Sequence, residues 1–245
     1  MIYRDPAFLA SRIGKWLSLK IKEANKTGGI VGLSGGVDSA VVAALLRRIC
    51  GKNMLAMILP CQSLASDIED ARLVAESLDI PYLELDLTPV YETMMEKAEA
   101  IEGPFKRLSA ANVKPRLRMT TLYLFGQQRN LLVCGTGNKA EITMGYFTKH
   151  GDSGVDVLPL GDLLKGEVFK LAEYLGVPER IYKKPPSAGL WEGQTDEEEM
   201  GISYHMLDMY LAGKEVPSEV VAKIEMASSR AEHKRKTPPI CKIGN

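Results

Sequence analysis

A short apolar run, Ile30-Val31-Gly32-Leu33, turns through Ser34-Gly35-Gly36 directly into Asp38-Ser39-Ala40-Val41-Val42-Ala43-Ala44-Leu45-Leu46, and no other stretch limits the possible folds so strongly. The run has the length and composition of a buried strand, and the residues after the turn carry a strong helical pattern. The unit is strand, glycine turn, helix. It then repeats as a strand at 55–59, a helix at 66–78, a strand at 82–85 and a helix opened by Thr88-Pro89. Such alternation predicts a doubly wound, mainly parallel α/β sheet with helices on both faces.

Elements on either side extend the pattern. Asp5-Pro6 reads as a helix cap and first helical residue, followed by apolar residues at helical spacing: Phe8, Leu9, Ile13, Trp16, Leu17 and Ile21. A helix at 109–128 leads into Leu131-Leu132-Val133-Cys134, a further buried strand that ends at Gly135. Helices are expected again at 197–212 and 218–232, before a basic tail from His233. The stretches 145–160 and 183–194 are rich in Gly, Asp, Pro and Lys without periodicity, which is the mark of binding loops or lids. With 245 residues and no linker or repeat, a single domain spanning 1–245 is the expectation.

Composition removes several functions. Lys plus Arg and Asp plus Glu are equal at 31 each, so nothing favours tracking a nucleic acid backbone. No apolar stretch approaches the roughly 20 residues of a membrane span, and the N-terminus lacks a signal-peptide layout. Cys50, Cys61, Cys134 and Cys241 are scattered without a CxxC pair, as expected of buried thiols in a reducing compartment. A cytoplasmic protein is the natural reading.

In parallel sheets ligands collect at the carboxyl ends of the strands, where Gly32-Leu33-Ser34-Gly35-Gly36-Val37-Asp38-Ser39 lies. Adjacent glycines let backbone N–H groups converge on oxyanions, Ser34 and Ser39 add hydroxyl donors, and the following helix contributes the positive end of its dipole. A carboxylate at Asp38 suits Mg²⁺ accompanying a polyphosphate. Taken alone, the same residues also make an ordinary strand-to-helix turn capped by Asp38 or Ser39.

The hexapeptide Ser34-Gly35-Gly36-Val37-Asp38-Ser39 resembles the SGGxDS signature of the N-type ATP pyrophosphatases, which cleave ATP between the α and β phosphates. Four further segments resemble one family within that group, the ammonia-dependent NAD synthetases. They are Asn112 to Tyr123 (NxxxRxRMxxLY), Gly135 to Glu141 (GTxNxxE), Gly145 to Asp152 with Asp156 downstream (GYxTKxGD), and Lys184 to Trp191 followed by Gln194-Thr195-Asp196-Glu197 (KxPSAxLWxxQxDE). All run in family order from about residue 30 to 235.

The resemblance implies a role for each matched residue. Gly32 to Ser39, Thr136, Lys165 and Ser187 contact ATP; Asp38 and Glu141 hold Mg²⁺; Asp38 and Lys165 are catalytic, the lysine offsetting phosphate charge in the transition state. Arg116, Lys149, Asp156, His233 and Lys234 bind deamido-NAD (nicotinic acid adenine dinucleotide). Without the resemblance, Glu141, which follows a core strand and opens a helix, reads either as a carboxylate that meets Asp38 across neighbouring strand ends or as a solvated or capping glutamate; Arg116 and Arg118 read as a solvated face, and His233-Lys234 as a charged tail. The implied reaction is adenylation of the substrate carboxylate by ATP with loss of pyrophosphate, then attack by ammonia to give NAD and AMP. The resemblance also implies a homodimer, with the first helix and Trp16 a candidate interface. The chain has no room for an amidase domain, so free ammonia, or ammonia from a partner, is the expected nitrogen source. Two other readings stay open, a tRNA-modifying ligase and a non-catalytic nucleotide-binding regulator. Pro115 replaces the small residue usual before the family's arginine and is expected to bend or end its helix turn; nothing is assigned to Asn138, and the tail after Arg235 fits poorly.

Overall fold

The computed structural model describes residues 2–187 and 195–243. In chain order the elements are α1 (Pro6–Glu23), β1 (Gly28–Gly32), α2 (Val37–Cys50), β2 (Met54–Ile58), α3 (Ala65–Ser77), β3 (Tyr82–Glu84), α4 (Thr88–Glu102), α5 (Arg107–Ala111), α6 (Val113–Gln128), β4 (Leu131–Val133), α7 (Lys139–Met144), α8 (Lys165–Tyr174), α9 (Glu179–Tyr182), α10 (Asp196–Met200), α11 (Tyr204–Leu211), α12 (Ser218–Arg230) and α13 (Glu232–Arg235). The four strands are parallel in the order β3-β2-β1-β4, with Ile30 beside Leu55 on one side and Val133 on the other. The expected doubly wound α/β sheet is therefore the observed one.

Successive strand residues point to opposite faces, and each face has its own apolar layer. Val31, Ala56, Ile58 and Leu132 pack with α1, α2 and α8 through Leu17, Val41, Leu45 and Leu171. Ile30, Leu55, Met57 and Val133 pack on the other side with Tyr91 and Met95 of α4 and Met119 and Leu122 of α6. A third cluster joins α7 to α10, α11 and α12 through Met144, Met200, Leu207 and Ile224. It holds the C-terminal helices against the carboxyl ends of the strands.

Three expectations change in detail. The helix at 109–128 is two helices meeting at Asn112, because Pro115 in the first turn of α6 has no N–H for the carbonyl of Ala111. The helix at 197–212 is interrupted at Gly201, which takes φ 62° and ends α10. The helix at 218–232 ends at Arg230, and the start of the basic tail joins Glu232 in the short α13. On α1 the stripe is narrower than the apolar pattern: Leu9, Ile13, Leu17 and Ile21 are buried, whereas Phe8 and Trp16 are exposed. All four cysteines are free; Cys61 and Cys134 are buried and Cys241 is exposed. No helix of the described residues is long and apolar enough to cross a membrane.

Candidate active site

The order β3-β2-β1-β4 places the strand-to-helix turns after β1 and β4 side by side, at the point where the chain switches direction across the sheet. A cavity of about 670 Å³ opens there, within the usual size of a ligand site. Gly32, Leu33, Ser34, Gly36, Val37, Asp38 and Ser39 line one wall, and Thr136, Glu141, Lys165 and Ser187 line it from other segments.

The turn is built to leave donors uncovered. Gly36 heads α2 with no side chain capping the helix, so the first helical N–H groups remain open to a ligand. Ser39 Oγ is held by donation to Gly36 O at 2.9 Å and lies 3.1 Å from Ser34 Oγ, which fixes both hydroxyls. Gly35 is packed closely against α3. Its φ is 80°, a Cβ there would fall 2.4 Å from the Asp67 carbonyl oxygen and 2.9 Å from the Asp70 Cβ, and it does not line the cavity. The glycine thus lets the turn lie tightly on α3.

Asp38 does not cap the helix. Its Oδ1 accepts from Asn138 Nδ2 at 2.9 Å and its Oδ2 from Lys165 Nζ at 2.5 Å. Across the strand ends, Glu141 Oε2 accepts from Asn138 N at 3.1 Å, and Glu141 Oε1 lies 3.8 Å from the same lysine nitrogen. The two carboxylates thus meet as expected from neighbouring strand ends. The residue that joins them is Asn138, fully buried, whose Oδ1 also accepts from Glu141 N to complete a capping box on α7. Burial and the nearby Asp38 charge push the Glu141 carboxyl well above the ordinary range, and Lys165 opposes them. Burial disfavours the Lys165 charge too, but Asp38 and Glu141 outweigh it and hold the ammonium above its usual value. Two carboxylates with convergent oxygens beside a bed of open donors fit Mg²⁺, which takes one or two carboxylates and completes its shell with phosphate oxygens and water.

Lys165 is held by several elements that its local sequence does not reveal. It opens α8 and is 1% exposed. Asp208 on α11, itself buried, accepts from Lys165 N at 2.9 Å and Gly166 N at 2.8 Å and so caps α8 from another helix. Glu167 Oε2 accepts from Leu164 N, and Arg4 forks onto Glu167 from the N-terminal segment. Gly166 lets Tyr3 pack closely, since a Cβ there would lie 2.3 Å from the Tyr3 ring and displace it. Asp196, also buried, receives Tyr204 OH at 2.8 Å beside the same lysine.

Arg116, Lys149, His233 and Lys234 line the far side of the cavity. Arg116 Nε donates to Lys149 O at 3.2 Å, which ties α6 to the 145–160 loop. Lys234 Nζ donates to the carbonyls of Gly145 and Phe147 at 2.8 and 3.0 Å, and burial lowers its pKa, so it braces that loop. Arg235, unassigned from sequence, donates to the Ile142 and Thr143 carbonyls at the end of α7. Arg118 donates to Leu59 O and Ser63 Oγ and anchors the end of β2. Lys184 Nζ reaches Asp67 Oδ1 and Asp70 Oδ2, both at 2.7 Å, and ties the segment carrying Ser187 to α3. The Ala188 to Trp191 part of the last motif, and Gln194, lie outside the described residues.

Asp156, expected on the substrate side, lies outside this cavity. Its oxygens accept from Tyr123 OH and Val133 N, both at 2.9 Å, and it lines a second cavity with Lys20, Lys26 and Tyr123.

The chain matches the family model described as NAD synthase over residues 9–238. It is 47% identical to the NH(3)-dependent NAD(+) synthetase of Carboxydothermus hydrogenoformans, across 94% of this chain and 95% of that protein. Among solved structures, the NMN synthetase of Francisella tularensis superposes with a TM-score of 0.93 at 39% identity, covering 98% of this chain and all of the other. The NH3-dependent NAD synthetase of Campylobacter jejuni, solved with a nitrate ion, gives 0.80 at 28% identity over 98% of this chain and 100% of that one.

Proposed function

Since the chain belongs to the NAD synthase family and is a ligase that makes NAD from deamido-NAD, ATP and ammonia, we propose that the cavity at the ends of β1 and β4 is its reaction centre. The observation that carries this reading is the convergence of Asp38, Glu141 and Lys165 beside an uncapped, glycine-headed α2. Backbone N–H groups at the head of α2, with Ser34 and Ser39, hold the ATP phosphates, and Thr136 and Ser187 close on the nucleotide from neighbouring segments. Asp38 and Glu141 are the residues that would hold Mg²⁺, which supplies charge neutralisation on the phosphate oxygens. Arg116, Lys149, His233 and Lys234 form the deamido-NAD side, the first two as direct anion partners and Lys234 chiefly through the loop it braces.

Both reactants are anions, so the protein must hold them together and balance charge as it moves. The pyridine carboxylate attacks the α phosphorus, the bond to the β-phosphate oxygen breaks, and pyrophosphate leaves. Lys165 is placed to neutralise that departing charge. Adenylation turns the oxide leaving group of a carboxylate into AMP, which ammonia then displaces. No side chain is required as a covalent nucleophile. We further propose that the whole chain acts as one cytoplasmic domain and assembles as a homodimer. Val90, Met94 and Leu124 on α4 and α6 are 52%, 51% and 66% exposed and Phe8, Trp16 and Leu19 on α1 are 58%, 37% and 50% exposed, so both faces carry apolar side chains for such a contact, and Leu124 is the most exposed of these six.

The test is pyrophosphate and NAD formation from ATP, Mg²⁺, ammonium and deamido-NAD. Release should require the dinucleotide, match NAD one to one and disappear in Asp38→Ala; ATP binding without turnover would instead point to a nucleotide-binding regulator. A second acceptor is favoured by one observation, the 0.93 superposition on an NMN synthetase. The corresponding carboxylate mononucleotide carries the same reacting group, and Asp156 stands apart from the main cavity, so the adenylate half of the dinucleotide has fewer expected partners there. Measuring kcat/KM for both acceptors decides it; a mononucleotide rate at background removes the second reading.

A further inference from the structure

In the site as folded, each carboxylate has one oxygen committed and one oxygen turned toward the same nitrogen. Asp38 Oδ1 is taken by Asn138 Nδ2 and Glu141 Oε2 by Asn138 N, which leaves Asp38 Oδ2 and Glu141 Oε1 facing Lys165 Nζ at 2.5 and 3.8 Å. The ammonium is 1% exposed and also lies over the Tyr204 ring, 4.8 Å from its centroid. A divalent ion held by the same two oxygens would lie close to the lysine nitrogen that faces both of them. Two cations at one point repel strongly, so lysine and metal are alternatives there.

We propose that Lys165 is a tethered counter-ion occupying the metal position in the nucleotide-free protein, so that the divalent ion enters only together with ATP. This rests on the reading of Asp38 and Glu141 as the metal-holding pair. Lys165 lines the same cavity as Ser34, Gly36 and Ser39, so phosphates seated on the glycine turn offer its ammonium a new set of anions. Arrival of the polyphosphate then does two things at once. It draws the lysine onto the leaving group and frees the carboxylates for the ion that travels with the nucleotide. A lysine that must leave before metal enters also offsets part of the repulsion between the two facing carboxylates whenever ATP is absent.

The experiment is Mn²⁺ binding to the full chain, followed by the loss of the free-ion EPR signal. It compares wild type, Lys165→Met and Lys165→Gln, each without nucleotide and with α,β-methylene-ATP, which cannot be cleaved at the reacting bond. Without nucleotide, both variants should bind one Mn²⁺ per chain at least tenfold more tightly than wild type. Adding Glu141→Gln to either variant should abolish the gain. Wild type should reach similar affinity only with the analogue, after allowance for Mn²⁺ held by free analogue. Lys165→Gln keeps a donor for Asp38 and serves if Lys165→Met does not fold. Equal affinity of wild type and the folded variants overturns the proposal, as does tight wild-type binding that the analogue leaves unchanged. Pyrophosphate release by wild type is measured separately, so its presence or absence judges the catalytic reading and the Mn²⁺ series judges the lysine.

Discussion

Asn138→Asp isolates one hydrogen bond at the centre of the site. Asp caps helices as well as Asn does, so the bond from Glu141 N to the side-chain oxygen of residue 138 survives, and α7 keeps its start. What changes is the donor: Nδ2, now 2.9 Å from Asp38 Oδ1, becomes an oxygen that repels it. A hydrogen bond to a charged group contributes about 2 kcal/mol, and if that is lost from the transition state the rate falls about 30-fold. The deficit should depend on pH in a stated direction. A buried carboxyl beside Asp38 and Glu141 holds its proton more firmly than a free one, and when protonated it donates to Asp38 as the amide did. The variant-to-wild-type ratio of NAD formation should therefore be lowest at pH 8 to 9 and recover toward pH 6. Taking the ratio at each pH cancels the changing ammonia concentration. Asn138→Ala, which loses cap and donor together, should show a deficit without that recovery. An Asn138→Asp rate within twofold of wild type at pH 8 would refute the argument that this amide aligns the carboxylates.

Gly35→Ala and Gly36→Ala should part company. The first forces a side chain into φ 80° and toward the Asp67 carbonyl, costing about 2 kcal/mol or more, so thermal unfolding should come roughly 4–8 °C earlier. At Gly36 a Cβ meets nothing nearer than Ser34 Oγ at 3.4 Å, so stability should hold while KM for ATP rises; equal thermal shifts would contradict this. Burial acts to raise the Glu167 pKa, but Arg4 and the Leu164 N–H hold it below the usual range. Its stabilisation is thus complete above the unfolded glutamate value and fades as pH falls through the folded one. Arg4→Met should lower denaturant stability at pH 7 and much less at pH 3, and a pH-independent gap would sink the idea. Leu124→Glu, on the exposed α6 face, should shift sedimentation to monomer with the fold intact; an unchanged dimer would move the interface elsewhere.

Local patterns carried the strand–glycine turn–helix unit, the parallel sheet and the candidate phosphate turn, because glycine conformation, capping and hydrophobic period act within ten residues or so, whereas the candidate metal pair and substrate residues rested on motif resemblance. The pairing of Asp38 with Glu141 was legible only through the assumption that their strands are neighbours, which the order β3-β2-β1-β4 satisfies. Asn138 could not be valued from sequence, since its partner Asp38 is 100 residues away and an asparagine opening a helix is ordinary. Likewise, nothing near Lys165 announces that Asp208 caps its helix from α11, or that Tyr3 packs onto the glycine at 166. Asp156 shows the limit from the other side: its motif match is good, yet the fold turns it into a second cavity. Amino-acid order alone sets which groups are available and which local turns present them. Which charges face one another depends on strand order and helix docking between segments far apart in the chain, and so emerges only on folding.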